Sequence, residues 1–246
     1  MRVKTLGVFL LVFSMIHGDE FPHLNETRYI YTKFYSSNGY NLTIRRTNFT
    51  MNSAVQYRLT ELYFDIYPRL VDRFNPNAPR SISIYIDEDR DYPFWGRAVN
   101  SKMLISAYRL RNSQFYSRYY DIFLHELTHL VQQYTTQNLA DVEWLGEGLA
   151  DYVRYTYGSD NLNADWPMID YRPTQNYNDG YKVTARFLIW LDYKYNSSII
   201  DKLDQGLRDV TYKQNTTWKE LTGKSVEDLW KDYSQNPDII HHIPWL

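Results

Sequence analysis

The chain contains no cysteine. That absence excludes disulfides, thiolate-ligated metals and a thiol nucleophile, and with them any latency held by a cysteine. There is no Pro/Gly-rich linker, low-complexity tract or internal repeat, so nothing marks a division into separate domains. A length of 246 residues suits one catalytic domain, of two lobes at most. Leu6 to Ile16 is the longest apolar run, well short of the ~20 residues a membrane-spanning helix needs. An excess of positive charge is missing as well. The formal net charge is −2, and it becomes −4 once residues 1–18 are set aside, because Arg2 and Lys4 leave and no acid does. That balance argues against nucleic acid or an anionic membrane surface as partner.

What is present is aromatic: 24 Tyr and 7 Trp, within a composition that is 43% hydrophobic and 23% charged. Such amphipathic rings suit a wet cleft, and they suit a half-exposed core equally well. Residues 1–18 follow the order of a signal peptide, with Arg2 and Lys4 first, then the apolar run, then Gly18 at the cleavage point. Five acceptor sequons, at Asn25, Asn41, Asn48, Asn196 and Asn215, agree with secretion and place those asparagines in solvent. The mature protein is therefore expected outside the cell, without a membrane span, and as a monomer.

Residues 28–50 alternate in the manner of strands about the turn Ser37-Asn38-Gly39. Apolar positions at helical spacing fill 53–74, and Ser81 to Ile86 and Met103 to Ala107 read as strands. Asp87 to Asp91 lacks the glycine and the late glutamate of a calcium loop and is expected to be a solvated turn. From about residue 117 the period is helical, over 117–135, 145–157, 179–195, 198–210 and 225–235. Strands with one helix, then helices, make an α+β fold: an N-terminal mixed β-sheet with an active-site helix, followed by a helical C-terminal lobe. The boundaries expected are 1–18 for the signal peptide, 19–50 for the N-terminal strand region, 51–240 for the catalytic domain and 241–246 for the tail.

The decisive signal is Phe123-Leu124-His125-Glu126-Leu127-Thr128-His129. Residues four apart on a helix lie nearly above one another, so His125 and His129 present two imidazoles to one point. Glu126 sits one residue round from the first, within reach of a water at that point. Two His and a carboxylate form the zinc set that keeps one coordination position open. The metal would acidify the water there, and Glu126 would take its proton. The third ligand is assigned to Glu147, and Asp151, four residues on, to the outer partner of a ligating histidine. Asp141 and Glu143 are the rival ligands. His241 and His242 lie in a Pro-flanked tail and read as surface residues.

His125-Glu126-x-x-His129 followed by Glu147-x-x-x-Asp151 resembles the two-motif signature of thermolysin-type glutamate zincins. The blocks Gly146 to Arg154, Asp179 to Leu188 and Gly223 to Tyr233 resemble, more specifically, the plant basic secretory protein peptidase family. The likeness covers about residues 50–235 and implies a zincin-like fold, zinc and proteolysis. This chain departs from the family's name in being mildly acidic. A peptidase of this kind needs a donor to the oxyanion. Tyr181 is expected to supply it, with Tyr171, Tyr177 and Arg186 as rivals. The expected activity is a secreted endopeptidase with one Zn2+ per chain acting on peptide or protein substrates. The competing expectation is a secreted binding or adhesion glycoprotein that keeps the fold without proteolysis. Intact residues at all five motif positions favour hydrolysis.

Overall fold

The computed structural model describes residues 24–88, 95–107, 116–135, 139–158, 161–196 and 198–239. The signal segment 1–18, residues 89–91 of the acidic turn, and His241 and His242 lie outside them.

Five strands form one mixed sheet in the order β1-β2-β3-β5-β4. β1 (Tyr31–Ser37) and β2 (Tyr40–Arg46) make a hairpin in which Ser37 faces Tyr40. The loop is therefore Asn38-Gly39, and both residues have positive φ, at 50° and 81°. That is the backbone a tight two-residue hairpin demands and that Asn-Gly adopts most readily. A long helix, α1 (Ser53–Arg73), carries the chain across to β3 (Ser81–Asp87), which pairs in parallel with β2 and with β5 (Lys102–Ser106). β4 (Gly96–Val99) runs antiparallel to β5 at the edge of the sheet. The strand register stacks Leu42 with Ile82, Ile44 with Ile84 and Met103, and Ile86 with Ile105, all buried. Through β1 and β2, residues 31–46 are therefore an integral part of the sheet.

The other face holds a smaller cluster of Tyr29, Tyr85 and Leu104. Here one expectation fails. Asp87 is not part of a solvated turn; it ends β3 with no exposure, hydrogen-bonded to Tyr29 Oη at 3.0 Å and paired with Arg28 at 3.3 Å. The short 3-10 turn Glu26–Arg28, which the acidic string gives no hint of, folds across that face and brings the partners.

The helical lobe comprises α2 (Tyr116–Gln132), α3 (Leu139–Tyr157), α4 (Tyr181–Lys194), α5 (Ser198–Arg208), α6 (Gln214–Thr222) and α7 (Val226–Gln235). Ser225 caps α7 by accepting from the Asp228 N–H. α3 meets α4 closely at Gly148, where a Cβ would lie 2.2 Å from Thr184 Cγ2. Thr184 has nowhere to move, since its hydroxyl donates to the Tyr177 carbonyl at 2.6 Å. Gly148→Ala should therefore destabilise the fold by about 1–3 kcal/mol, read as a lower denaturant midpoint at unchanged slope. An unaltered midpoint would mean the two helices can part at no cost.

Among the sequons, Asn25, Asn48, Asn196 and Asn215 are exposed as expected. Asn41 is only partly so, and its Nδ2, the atom a glycan would take, donates to Ser81 Oγ at 3.0 Å. The cause is its place on β2 beside β3, where cross-strand pairing competes with solvent.

Candidate metal centre

α2 owes its place to Phe123, Leu124, Leu127, Leu130 and Val131, all buried in the core. Packing that face leaves His125, Glu126 and His129 pointing towards α3, which carries Glu147 and Asp151. The three candidate ligand atoms converge. His125 Nε2 lies 3.1 Å from His129 Nε2 and 3.1 Å from Glu147 Oε2, and His129 Nε2 lies 3.6 Å from Glu147 Oε2. Ligands about 2.0–2.1 Å from a tetrahedral zinc stand roughly 3.3 Å apart, so the spacing fits. Among the described residues these are the side chains that group as a possible metal site.

The hydrogen bonds behind the rings test the fit independently. His125 Nδ1 is 2.8 Å from Asp151 Oδ1, and an ionised carboxylate only accepts, so Nδ1 donates. His129 Nδ1 is 2.7 Å from Gln132 Oε1, and Gln132 Nε2 donates to the Gly146 carbonyl at 3.1 Å, which leaves the oxygen facing the ring. Each ring thus turns its Nε2 towards a buried carboxylate oxygen, and in the neutral ring that atom carries a lone pair. Three lone pairs at this distance repel one another unless a cation lies between them. The titration directions show the same preference for positive charge, which a proton also meets. Burial opposes the His125 imidazolium, yet Asp151 and Glu147 outweigh it and raise the group to about 10. Burial also opposes a charged Glu147, but the two imidazoles hold its carboxyl well below the ordinary value. The pocket is built for positive charge.

Glu126 is 2% exposed, and burial raises its carboxyl, with the imidazoles pulling the other way. The start of β4 presses on it: a Cβ at Gly96 would lie 2.8 Å from Glu126 Cγ. Tyr181 opens α4 at φ 42°, after Gly180 at 77°, and its ring lies parallel to that of His125 at 6.1 Å. A left-handed tyrosine costs on the order of 1–3 kcal/mol, and such strain persists where the surroundings insist on the side chain's direction. Tyr181, His125 and Glu126 line a cleft together with Trp95, Ile122 and Trp166.

The rival residues are engaged elsewhere. Tyr177 donates to Glu227 at 3.1 Å, Tyr171 packs on Trp230 and Tyr233, and Arg186 donates to the Pro237 carbonyl at 2.7 Å. Asp141 is exposed, and Glu143 is outside the converging group. Three neighbours escaped the sequence reading. Trp166 Nε1 donates to Asp151 Oδ2 at 2.9 Å, Arg154 lies 3.4 Å from Asp151 Oδ1 while pairing with Asp121, and Gln132 holds His129. Asp151 thus accepts from an imidazole, an indole and a guanidinium. Asp151→Asn keeps the shape but removes the charge that holds His125 in its tautomer. It should cost on the order of 10- to 100-fold in metal affinity, measured by competition with a chromophoric chelator. Wild-type affinity in that variant would separate Asp151 from the centre.

Residues 101–233 match the sequence pattern of a family described as peptidase of plants and bacteria. No curated protein matches this chain by sequence. Among solved structures it is similar to an M1 zinc metallopeptidase from Deinococcus radiodurans, at 14% identity over 84% of this chain and 51% of that one, TM-score 0.52. A variant from the same organism bound to a Tyr-Ser-Ala substrate gives 16% identity over 87% and 53%, TM-score 0.51. A two-domain M1 zinc metallopeptidase variant bound to L-arginine gives 16% over 88% and 54%, TM-score 0.54. The chain spans about half the length of these structures. At such identities the likeness concerns the fold, which is zincin-like.

Proposed function

This chain belongs to the peptidase family of plants and bacteria, and from that premise we propose that it is a secreted zinc-dependent endopeptidase. The observation that carries the reading is the convergence of His125 Nε2, His129 Nε2 and Glu147 Oε2 beside a buried Glu126. Zinc held by these three atoms would supply a Lewis acid that acidifies water and polarises the substrate carbonyl. Glu126 takes the proton of the attacking water as its oxygen adds to the peptide carbonyl. The same carboxyl then returns that proton to the amine as the C–N bond breaks. Tyr181, whose phenol is kept protonated by burial and by the carboxylates around it, donates to the oxygen on which charge develops. Asp151 keeps the His125 lone pair aimed inward throughout.

The endopeptidase reading draws support from β4, which lies at the edge of the sheet and meets Glu126 at Gly96. An extended peptide can add to such an edge through its main chain whatever the position of its ends. Secretion is supported by the residue order of 1–18 and by the four exposed sequons. Among the described residues no helix is long and apolar enough to cross a membrane. The ligand set comes from one chain, which suits a monomer.

The test is cleavage of a mixed library of end-blocked and free peptides by zinc-loaded protein, with and without chelator. Internal cleavage of blocked peptides, abolished by chelator and restored by zinc, is expected. Cleavage confined to free termini would make it an exopeptidase, and no cleavage of any peptide would favour the binding protein.

A further inference from the structure

We propose that Gln132 is a positioning residue for the metal centre. It selects the His129 nitrogen that faces the metal and ties that ring to the helix bearing Glu147. The proposal rests on the metal-centre reading above.

Gln132 lies on the last turn of α2, three residues beyond His129, and is 2% exposed. A buried amide costs free energy unless both its ends are satisfied. Here each end meets a different part of the site: Oε1 the His129 Nδ1 at 2.7 Å, Nε2 the Gly146 carbonyl at 3.1 Å. The second bond decides the first. A main-chain carbonyl cannot donate, so the amide nitrogen must face Gly146, and the amide oxygen must then face the imidazole. An acceptor at Nδ1 puts the ring proton there and leaves Nε2 unprotonated, towards His125 and Glu147. Turning the amide over would set Oε1 against the Gly146 oxygen and a second donor against the ring. The orientation is thus dictated by backbone, through one side chain, to the ligand atom.

Gly146 immediately precedes Glu147. One amide therefore spans from a ligand on α2 to the backbone next to a ligand on α3, and fixes the separation of the two. His125 has an anionic partner in Asp151, whereas His129 has a neutral one. Glu126, Glu147 and Asp151 are already buried together, so a neutral acceptor orients His129 without adding a further charge to desolvate.

Zinc affinity is to be measured by chelator competition for wild type, Gln132→Met and Gln132→Glu, each checked for native circular dichroism. Gln132→Met keeps length and burial but offers no acceptor, and it should lose on the order of 10- to 100-fold. Gln132→Glu, held protonated by burial among carboxylates, keeps an oxygen for the imidazole and a donor for the Gly146 carbonyl, and should lose less. Wild-type affinity in Gln132→Met, or equal losses in the two variants, would overturn the proposal. A second measurement needs no variant: the long-range 1H–15N spectrum of zinc-loaded wild type should show His129 protonated at Nδ1. Protonation at Nε2 would overturn the assignment even if Gln132→Met fails to fold. Wild type that binds no zinc would instead defeat the metal-centre reading itself.

Discussion

Glu126→Gln should bind zinc as wild type does and cleave peptides on the order of 100- to 10,000-fold more slowly. Glutamine preserves the shape of the side chain and can hydrogen-bond a water, but it cannot take the water's proton. The fold should tolerate the change. Glu126 is buried and its carboxyl is already raised by burial, so a neutral amide relieves a desolvation cost rather than adding one. Peptide turnover, with zinc content confirmed for both proteins, decides the matter. Equal turnover would take Glu126 out of the chemistry, and loss of zinc would make it a ligand.

The second large effect is on the ligand set. Glu147→Gln exchanges an anionic oxygen donor for an amide whose N–H groups compete for the same place. The two histidines then face zinc without an anionic ligand beside them, in a site where both His125 and position 147 are buried. Zinc affinity should fall by more than the ~10- to 100-fold expected of an outer partner. Asp141→Asn and Glu143→Gln should leave it unchanged, because neither side chain joins the converging group. Zinc retained in Glu147→Gln and lost from either of the others would transfer the third ligand to the segment before Trp144.

The parts legible in the sequence were those whose geometry is local. His125 and His129 share a helical face by spacing alone, and Asn38-Gly39 names its own turn. Glu147 and Asp151 lie four apart on one helix, so they too share a face by spacing. What stayed hidden depends on distant packing. β4 is only Gly96–Val99, with no alternation to detect, and α6 (Gln214–Thr222) buries a single side chain, Trp218, so it has no apolar stripe. Trp166 reaches Asp151 from an irregular segment, where no period foretells direction. Asp87 looked solvated because its burying partners, Arg28 and Tyr29, lie almost sixty residues earlier in the chain. Gln132 had a usable sign, being three residues past His129 on the same helix, but the carbonyl that orients it belongs to α3.

The most direct test of the central claim is the position of the metal. A crystal of zinc-loaded protein, with anomalous scattering recorded above and below the zinc edge, locates it without reference to activity. The expected result is one zinc per chain, about 2.0–2.2 Å from His125 Nε2, His129 Nε2 and a Glu147 carboxylate oxygen, with Glu126 close but not coordinating. Zinc bound by other side chains, or no ordered zinc between the two histidines at full loading, would contradict it.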